Sequence, residues 1–286
     1  MVVAARQMED PEGRIFAIVT FTDITEQKGA ESELRRANTL LESRERAMDE
    51  DLLLAARVQQ SLAPQSLAWN GASVETYYQA ARTIGGDFGV VVPGDDYLTL
   101  VVCDVSGHGI GSALVANRIY TETTSLIEAG TELTPMFQSL NRFALQNLGS
   151  SVMYFTAAAA RLNRGCRSLD FTAAGHPPAF IFRPGALPRF LESASMILGC
   201  FSDVVGQDSA VKISLEAGDR LMLYTDGFTE NFNSRHEMLG VEGLAEIARE
   251  ASALPLPEMK QQILDRVAAW RCGPANDDMS LILVEV

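Results

Sequence analysis

Cysteine is scarce and scattered: four residues, at 103, 166, 200 and 272, with no CxxC pair and no histidine cluster nearby. That excludes a disulfide framework and a Cys/His zinc site, and leaves buried, reduced thiols as the reading. A cysteine nucleophile acting on phosphate esters needs an arginine six positions further on, and those positions hold Gly109, Thr172, Gly206 and Asp278. Long apolar runs are missing too, so a membrane-spanning helix is not supported. The opening MVVAARQMEDPEG brings acidic residues and a proline before any apolar stretch, which is not how a secretion signal begins. Basic charge is also short: 23 Lys plus Arg against 37 Asp plus Glu leave a net charge of -14. With no basic patch to offset it, nucleic acid and anionic membrane are excluded as partners. These absences together predict a cytoplasmic protein, and 286 residues are enough to bury a substantial core.

Between Glu26 and Ala63 there is no proline and one glycine, and Leu34, Leu41, Met48, Ala55 and Leu62 recur every seven residues among charges. The companion positions Ala37, Arg44, Asp51 and Val58 are mixed. The spacing predicts a helical linker over 27–63 with a coiled-coil seam, and hence a homodimer, and Pro64 ends it. Upstream, Asp10-Pro11-Glu12-Gly13 is a turn signal and RIFAIVTFTDI, residues 14–24, reads as a strand. The stretch GRIFAIVTFTDITEQKGAESEL resembles the closing segment of PAS sensor domains, so residues 1–26 are read as the remnant of a PAS-like sensor.

Beyond Pro64, strand-like runs fall near 73–80, 97–104, 152–163, 168–173, 178–183, 220–225 and 279–286. Helical patterns fall near 110–129, 134–148, 240–252 and 257–271. Strands follow one another without intervening helices, notably across 152–183, so the expected class is α+β with largely antiparallel sheets over a domain of 64–286.

Four aspartates sit where chemistry is expected. In YLTLVVCDVSGHGIGSAL an apolar run delivers Asp104 to a strand end, and glycines around His108 allow backbone to approach a ligand before a helix begins. RLMLYTDGFTE repeats the arrangement with Asp226. Asp277 and Asp278 lie between the loop from Cys272 to Asn276 and the strand MSLILVEV. In TIGGDFGV the carboxylate of Asp87 is set among apolar residues, which is unfavourable unless it is paired or coordinated. Hard divalent cations such as Mg²⁺ or Mn²⁺ take oxygen ligands and keep several waters, and four aspartates suit two of them. Two ions about 3.5–4 Å apart lower the pKa of a bridging water and neutralise phosphoryl oxygens, so no side-chain nucleophile is needed. Such cations would also offset the repulsion between a chain this acidic and a phosphate ester.

The motifs GGDF, CDVSGHGIGSAL, FTAAGHPP, LYTDGFTE and DDMSL, in this order, resemble the motif set of the SpoIIE-class branch of the PPM, or protein phosphatase 2C-like, family. The resemblance covers about residues 52–286, with ARVQQSLAP at 56–64 similar to that branch's opening segment. It implies a double antiparallel β-sandwich flanked by helices, and metal-dependent hydrolysis of phosphoserine or phosphothreonine. The substrate it implies is a phosphorylated regulatory protein, an anti-sigma factor antagonist. It matches Asp87, Asp104, Asp226 and Asp277 to the metal-binding aspartates, which are also the catalytic set, and Val105 to the position that lends a backbone carbonyl. Asp278 is an alternative to Asp277.

The chain departs from the family pattern at Gly89 and Val90, where Tyr-Asp is usual after GGDF, and at Ser280, where threonine is usual. The lost acid leaves open an alternative: a phosphoprotein-binding module on a phosphatase fold with weak turnover. GGDF is not a diguanylate cyclase signature, because one acidic residue before Phe88 is missing. His108 and His176, both in glycine-rich turns, are read as turn residues hydrogen-bonded to backbone.

Overall fold

The computed structural model describes residues 1–9, 11–13, 15–147 and 153–286. The chain divides into two compact units, Met1–Leu54 and Ala55–Val286.

In the first unit β1 (Val2–Glu9) and β2 (Ile15–Thr22) form an antiparallel hairpin, Val2 opposite Thr22 and Glu9 opposite Ile15. Sequence reasoning found β2 alone, because β1 has no turn signal before it. The helix α1 (Thr25–Ser61) is announced by Asp23, whose Oδ1 accepts hydrogen bonds from the Thr25 amide (2.9 Å) and hydroxyl (2.6 Å). The heptad residues Leu34, Leu41 and Met48 are 62, 56 and 57% exposed, so the apolar stripe is uncovered. The last turns of α1 belong to the second unit, where Ala56 and Gln59 are buried while Ala55 is exposed. The face used there is therefore offset by one residue from the heptad stripe.

The second unit contains two antiparallel sheets. One holds β3 (Leu67–Trp69), β4 (Ala72–Gln79), β9 (Ala179–Phe182), β10 (Arg189–Leu191), β12 (Arg220–Tyr224) and β13 (Met279–Glu285), in the order β10-β9-β12-β13-β4-β3. The other holds β5 (Phe88–Pro93), β6 (Tyr97–Val105), β7 (Phe155–Asn163), β8 (Ser168–Ala174) and β11 (Val211–Ser214), in the order β11-β8-β7-β6-β5. Helices α2 (Ile110–Glu128) and α3 (Leu133–Asn147) cover the second sheet, and α4 (Gly240–Ala251) and α5 (Leu256–Trp270) cover the first.

Burial on both faces explains why the central strands are apolar throughout rather than alternating. In β6, Leu98, Leu100 and Val102 point into the core between the sheets, while Val101, Cys103 and Val105 pack under α2 and α3. In β13, Ile282 and Val284 face the inner core and Leu281 and Leu283 meet α4 and α5. The alanine run of β7 does the same with small side chains: Ala158 and Ala160 inward, Ala157 and Ala159 outward. The result is a double β-sandwich with helices on each outer face, as expected.

The strand expected from 152 starts at Phe155; residue 152, and residue 148 to which the preceding helix was expected to run, lie outside the described residues. Sequence reasoning missed β3, β5, β10 and β11. Three of these are short edge elements, and β5 carries Gly89 and Pro93, residues that weaken a strand pattern and are accommodated at a sheet edge.

Candidate active site

Each of the four aspartates stands within two residues of a strand terminus. Asp104 is the penultimate residue of β6, opposite Thr156 of β7, and Asp87 immediately precedes β5, so both belong to the second sheet. Asp226 opens a short 3₁₀ turn (Asp226–Phe228) after β12, and Asp277 lies two residues before β13, both on the first sheet. The site therefore straddles the mouth of the sandwich.

Backbone bonds and glycines close it. Thr225 and Ser280 lock the two strand tips of the first sheet together: the Thr225 amide donates to the Ser280 carbonyl (3.0 Å), and the Ser280 amide donates to the Thr225 hydroxyl (2.9 Å). A methyl group at Gly227 would collide with the carbonyl oxygen of Asp278, and one at Gly86 would stand 2.7 Å from the carbonyl oxygen of Val105. Gly86 thus brings the Asp87 loop onto the Val105 carbonyl at the tip of β6. Asp278 fastens the same loop from the other sheet, its Oδ1 accepting from the Ala81 amide (2.7 Å) and its Oδ2 from the Gly86 amide (2.6 Å). Asp278 is buried and committed to backbone, whereas Asp277 is exposed.

The carboxylates repel one another. Burial, then the charge of Asp104, holds Asp87 well above the usual carboxylate range, against an opposing hydrogen bond from Thr225. Burial pushes Asp104 up to about 6, with Asp277, Asp278 and Glu230 adding to it against a hydrogen bond from Asp87. Burial pushes Asp226 up to about 7, reinforced by Asp104, Glu230 and Asp277. Asp277, although its side chain reaches solvent, is raised as well: the partial loss of hydration comes first and the charge of Asp278 adds to it, while the Asp278 amide and His108 pull it down. No lysine or arginine pairs with these five aspartates among the described residues.

Asp87 Oδ2 is buried without a hydrogen-bond partner, an arrangement that suits a cation. Among the described residues no three acidic, imidazole or thiol groups close on one point as a cage. That is compatible with Mg²⁺-type ions, which take one or two carboxylates each and complete their shells with water and phosphate.

His176 is fully engaged. Its Nε2 lies 2.9 Å from the Tyr224 carbonyl and must carry the proton, and Nδ1 then accepts from the Thr156 hydroxyl at 2.8 Å. Burial pushes its pKa down to about 4, so it is a neutral strut from β7 to β12, in keeping with the structural reading. His108 is exposed.

Sequence reasoning missed three further groups. Glu230 acts on Asp104 and Asp226 from the end of the DGFTE motif. The Gln59 side chain pairs with both backbone groups of Gly85, accepting from its amide (3.0 Å) and donating to its carbonyl (2.6 Å). Tyr78 places its buried hydroxyl by the Asp87 loop, where burial and the charges of Asp278 and Asp87 keep the phenol protonated. Glu230 lies within LYTDGFTE and Gln59 within ARVQQSLAP, though neither motif says what the side chain meets; Tyr78 lies in none and becomes a neighbour through the fold.

Comparison with known proteins places the fold and the family. Phosphoserine phosphatase RsbP of Bacillus subtilis is 26% identical over 241 residues, covering 82% of this chain and 58% of RsbP, so the chain spans little more than half of that relative. Phosphoserine phosphatase RsbU of the same organism is 28% identical over 242 residues, covering 82% of this chain and 69% of RsbU. The SiaA-PP2C domain of Pseudomonas aeruginosa shares the fold with a TM-score of 0.76 at 21% identity, over 85% of this chain and 98% of that domain. The sequence profile described as Stage II sporulation protein E (SpoIIE) matches residues 94–286. From the strand that carries Asp104 to its last residue, the chain belongs to the SpoIIE family.

Proposed function

We propose that this protein is a metal-dependent phosphatase of phosphoserine or phosphothreonine in a phosphorylated regulatory protein, with an anti-sigma factor antagonist as the substrate. One observation carries the reading: aspartates from four chain segments converge in mutual repulsion, and among the described residues no lysine or arginine pairs with them. Asp87, Asp104, Asp226 and Asp277, with the Val105 carbonyl, would hold two divalent cations, Mn²⁺ or Mg²⁺. When bound, the pair supplies an activated water at neutral pH and charge neutralisation at the phosphoryl group.

The protein's own residues prepare that site. Asp278 fixes the Asp87 loop through two amides, and His176 holds the strand leading to Asp226 against β7. With cations bound, Asp87, Asp104 and Asp226 would be held as carboxylates, because the charge that raised their pKa values would then be offset. No side chain is asked to act as nucleophile. The hairpin is the end of a PAS-like sensor, and α1 is the linker and dimer seam through which a signal would reach the domain.

The test is phosphate release from a phosphoserine protein and from an aryl phosphate, with Mn²⁺, with Mg²⁺ and with chelator, for wild type and Asp226→Asn. Metal-dependent release abolished by the substitution is expected. No release with any metal, alongside retained phosphoprotein binding, would favour the binding module that the Gly89-Val90 departure suggested.

A further inference from the structure

Tyr78 and Asn117 have no role in the aspartate set, yet they share a small cavity with it. A partly open space of about 10 Å³ is lined by Tyr78, Asp87 and Asn117 together with the rings of Phe88 and Tyr120. Those rings meet edge to face, with centroids 5.7 Å apart. This volume is about that of one water molecule, and a buried water needs two to four polar partners. The Tyr78 hydroxyl and Asp87 Oδ2 are both buried and both lack a hydrogen-bond partner within the protein. Gly85 protects the arrangement, because a methyl there would stand 2.7 Å from the Tyr78 hydroxyl and collide with Asp278 Oδ2.

We propose that Tyr78 and Asn117 hold one internal water against Asp87 Oδ2, and that Tyr78 acts through it as a positioning residue for the metal site. The hydroxyl donates to the water, the water donates to Oδ2, and the Asn117 amide provides the third partner. A carboxylate oxygen has lone pairs for both a cation and one such donor. Groups that orient a ligating carboxylate in this way set metal affinity as well as geometry. The inference rests on the two-cation reading above and concerns how firmly Asp87 is aimed.

Mn²⁺ titration followed by the electron paramagnetic resonance signal of the free ion gives a readout independent of turnover. Tyr78→Phe is expected to weaken Mn²⁺ binding about tenfold, the lower end of what loss of an orienting partner causes. The chelated variant should melt within a degree or two of wild type, since the hydroxyl has no protein partner to lose. Unchanged affinity in Tyr78→Phe, with wild type binding Mn²⁺ normally, would overturn the positioning role and leave the two-cation site standing. A lower melting point with unchanged affinity would mean a packing role and would overturn it equally. Wild type that binds no Mn²⁺ would remove both. A high-resolution crystal structure without a water in hydrogen-bond reach of Tyr78 and Asp87 would also count against it.

Discussion

Asp278 directs both carboxylate oxygens to the amides of Ala81 and Gly86, whereas its neighbour Asp277 is exposed and faces His108. Their roles should separate in measurement. Asp278→Asn replaces an acceptor with an NH₂ group against a backbone amide, and is expected to lower stability by about 2 kcal/mol in chelator, as read from denaturant unfolding. Asp277→Asn should fall within about 0.5 kcal/mol of wild type there, and yet weaken Mn²⁺ binding. Equal effects of the two on stability would refute the division. The aspartates themselves were legible because each is marked by glycine or a strand end. The division between the paired acids was not, since the amides that Asp278 accepts from lie nearly two hundred residues away in the chain. Tyr78 and Asn117 were hidden for the same reason: nothing local distinguishes a tyrosine in a strand or an asparagine in a helix, and although Gln59 falls inside ARVQQSLAP, that segment does not say that its side chain meets Gly85.

At the scale of elements, strands buried on both faces read clearly as apolar runs, and β6, β12 and β13 were placed within a residue or two. Edge strands of three or four residues carry too little pattern for this, and β5 was masked by its glycine and proline. The long helix was legible from its missing proline and its heptad, but the face that meets the domain was not, because one buried glutamine replaces the apolar residue that periodicity looks for. The stripe of Leu34, Leu41 and Met48 remains exposed and sets a prediction for α1. Leu34→Asp with Leu41→Asp should halve the mass seen by light scattering and change phosphate release. If both stay as in wild type, the linker is not a dimer seam.

For the whole molecule, net charge and site charge act in the same direction. Asp104 and Asp226 have pKa values raised to about 6 and about 7 in the folded protein, while in the unfolded chain they titrate near the ordinary 3.8. Between these values the native state keeps protons that the unfolded chain has released, so stability falls as pH rises. Their contribution is complete below pH about 4 and is lost by pH about 7 to 8. Chelated protein is therefore expected to lose on the order of 3 kcal/mol between pH 5 and 8. Millimolar Mn²⁺ should remove that slope, and Asp226→Asn should reduce it in chelator. A stability that rises across this window in chelator would contradict the electrostatic account. The sequence total of -14 pointed to a need for cations; where the charges meet is a property of the sandwich.

Because Asp87 and Asp104 ride on one sheet and Asp226 and Asp277 on the other, the gap between the two carboxylate pairs is set by the thickness of the hydrophobic layer beneath them. The alanines of β7 act as a shim in that layer. If the proposed cations bind there, ion size would be coupled to core volume: a methylene added at Ala158 or Ala160, far from any ligand, would widen the jaw and is expected to move the balance between the smaller Mg²⁺ and the larger Mn²⁺, read by competitive titration of the two ions. The oil in the middle of this protein would then be part of how it measures an ion.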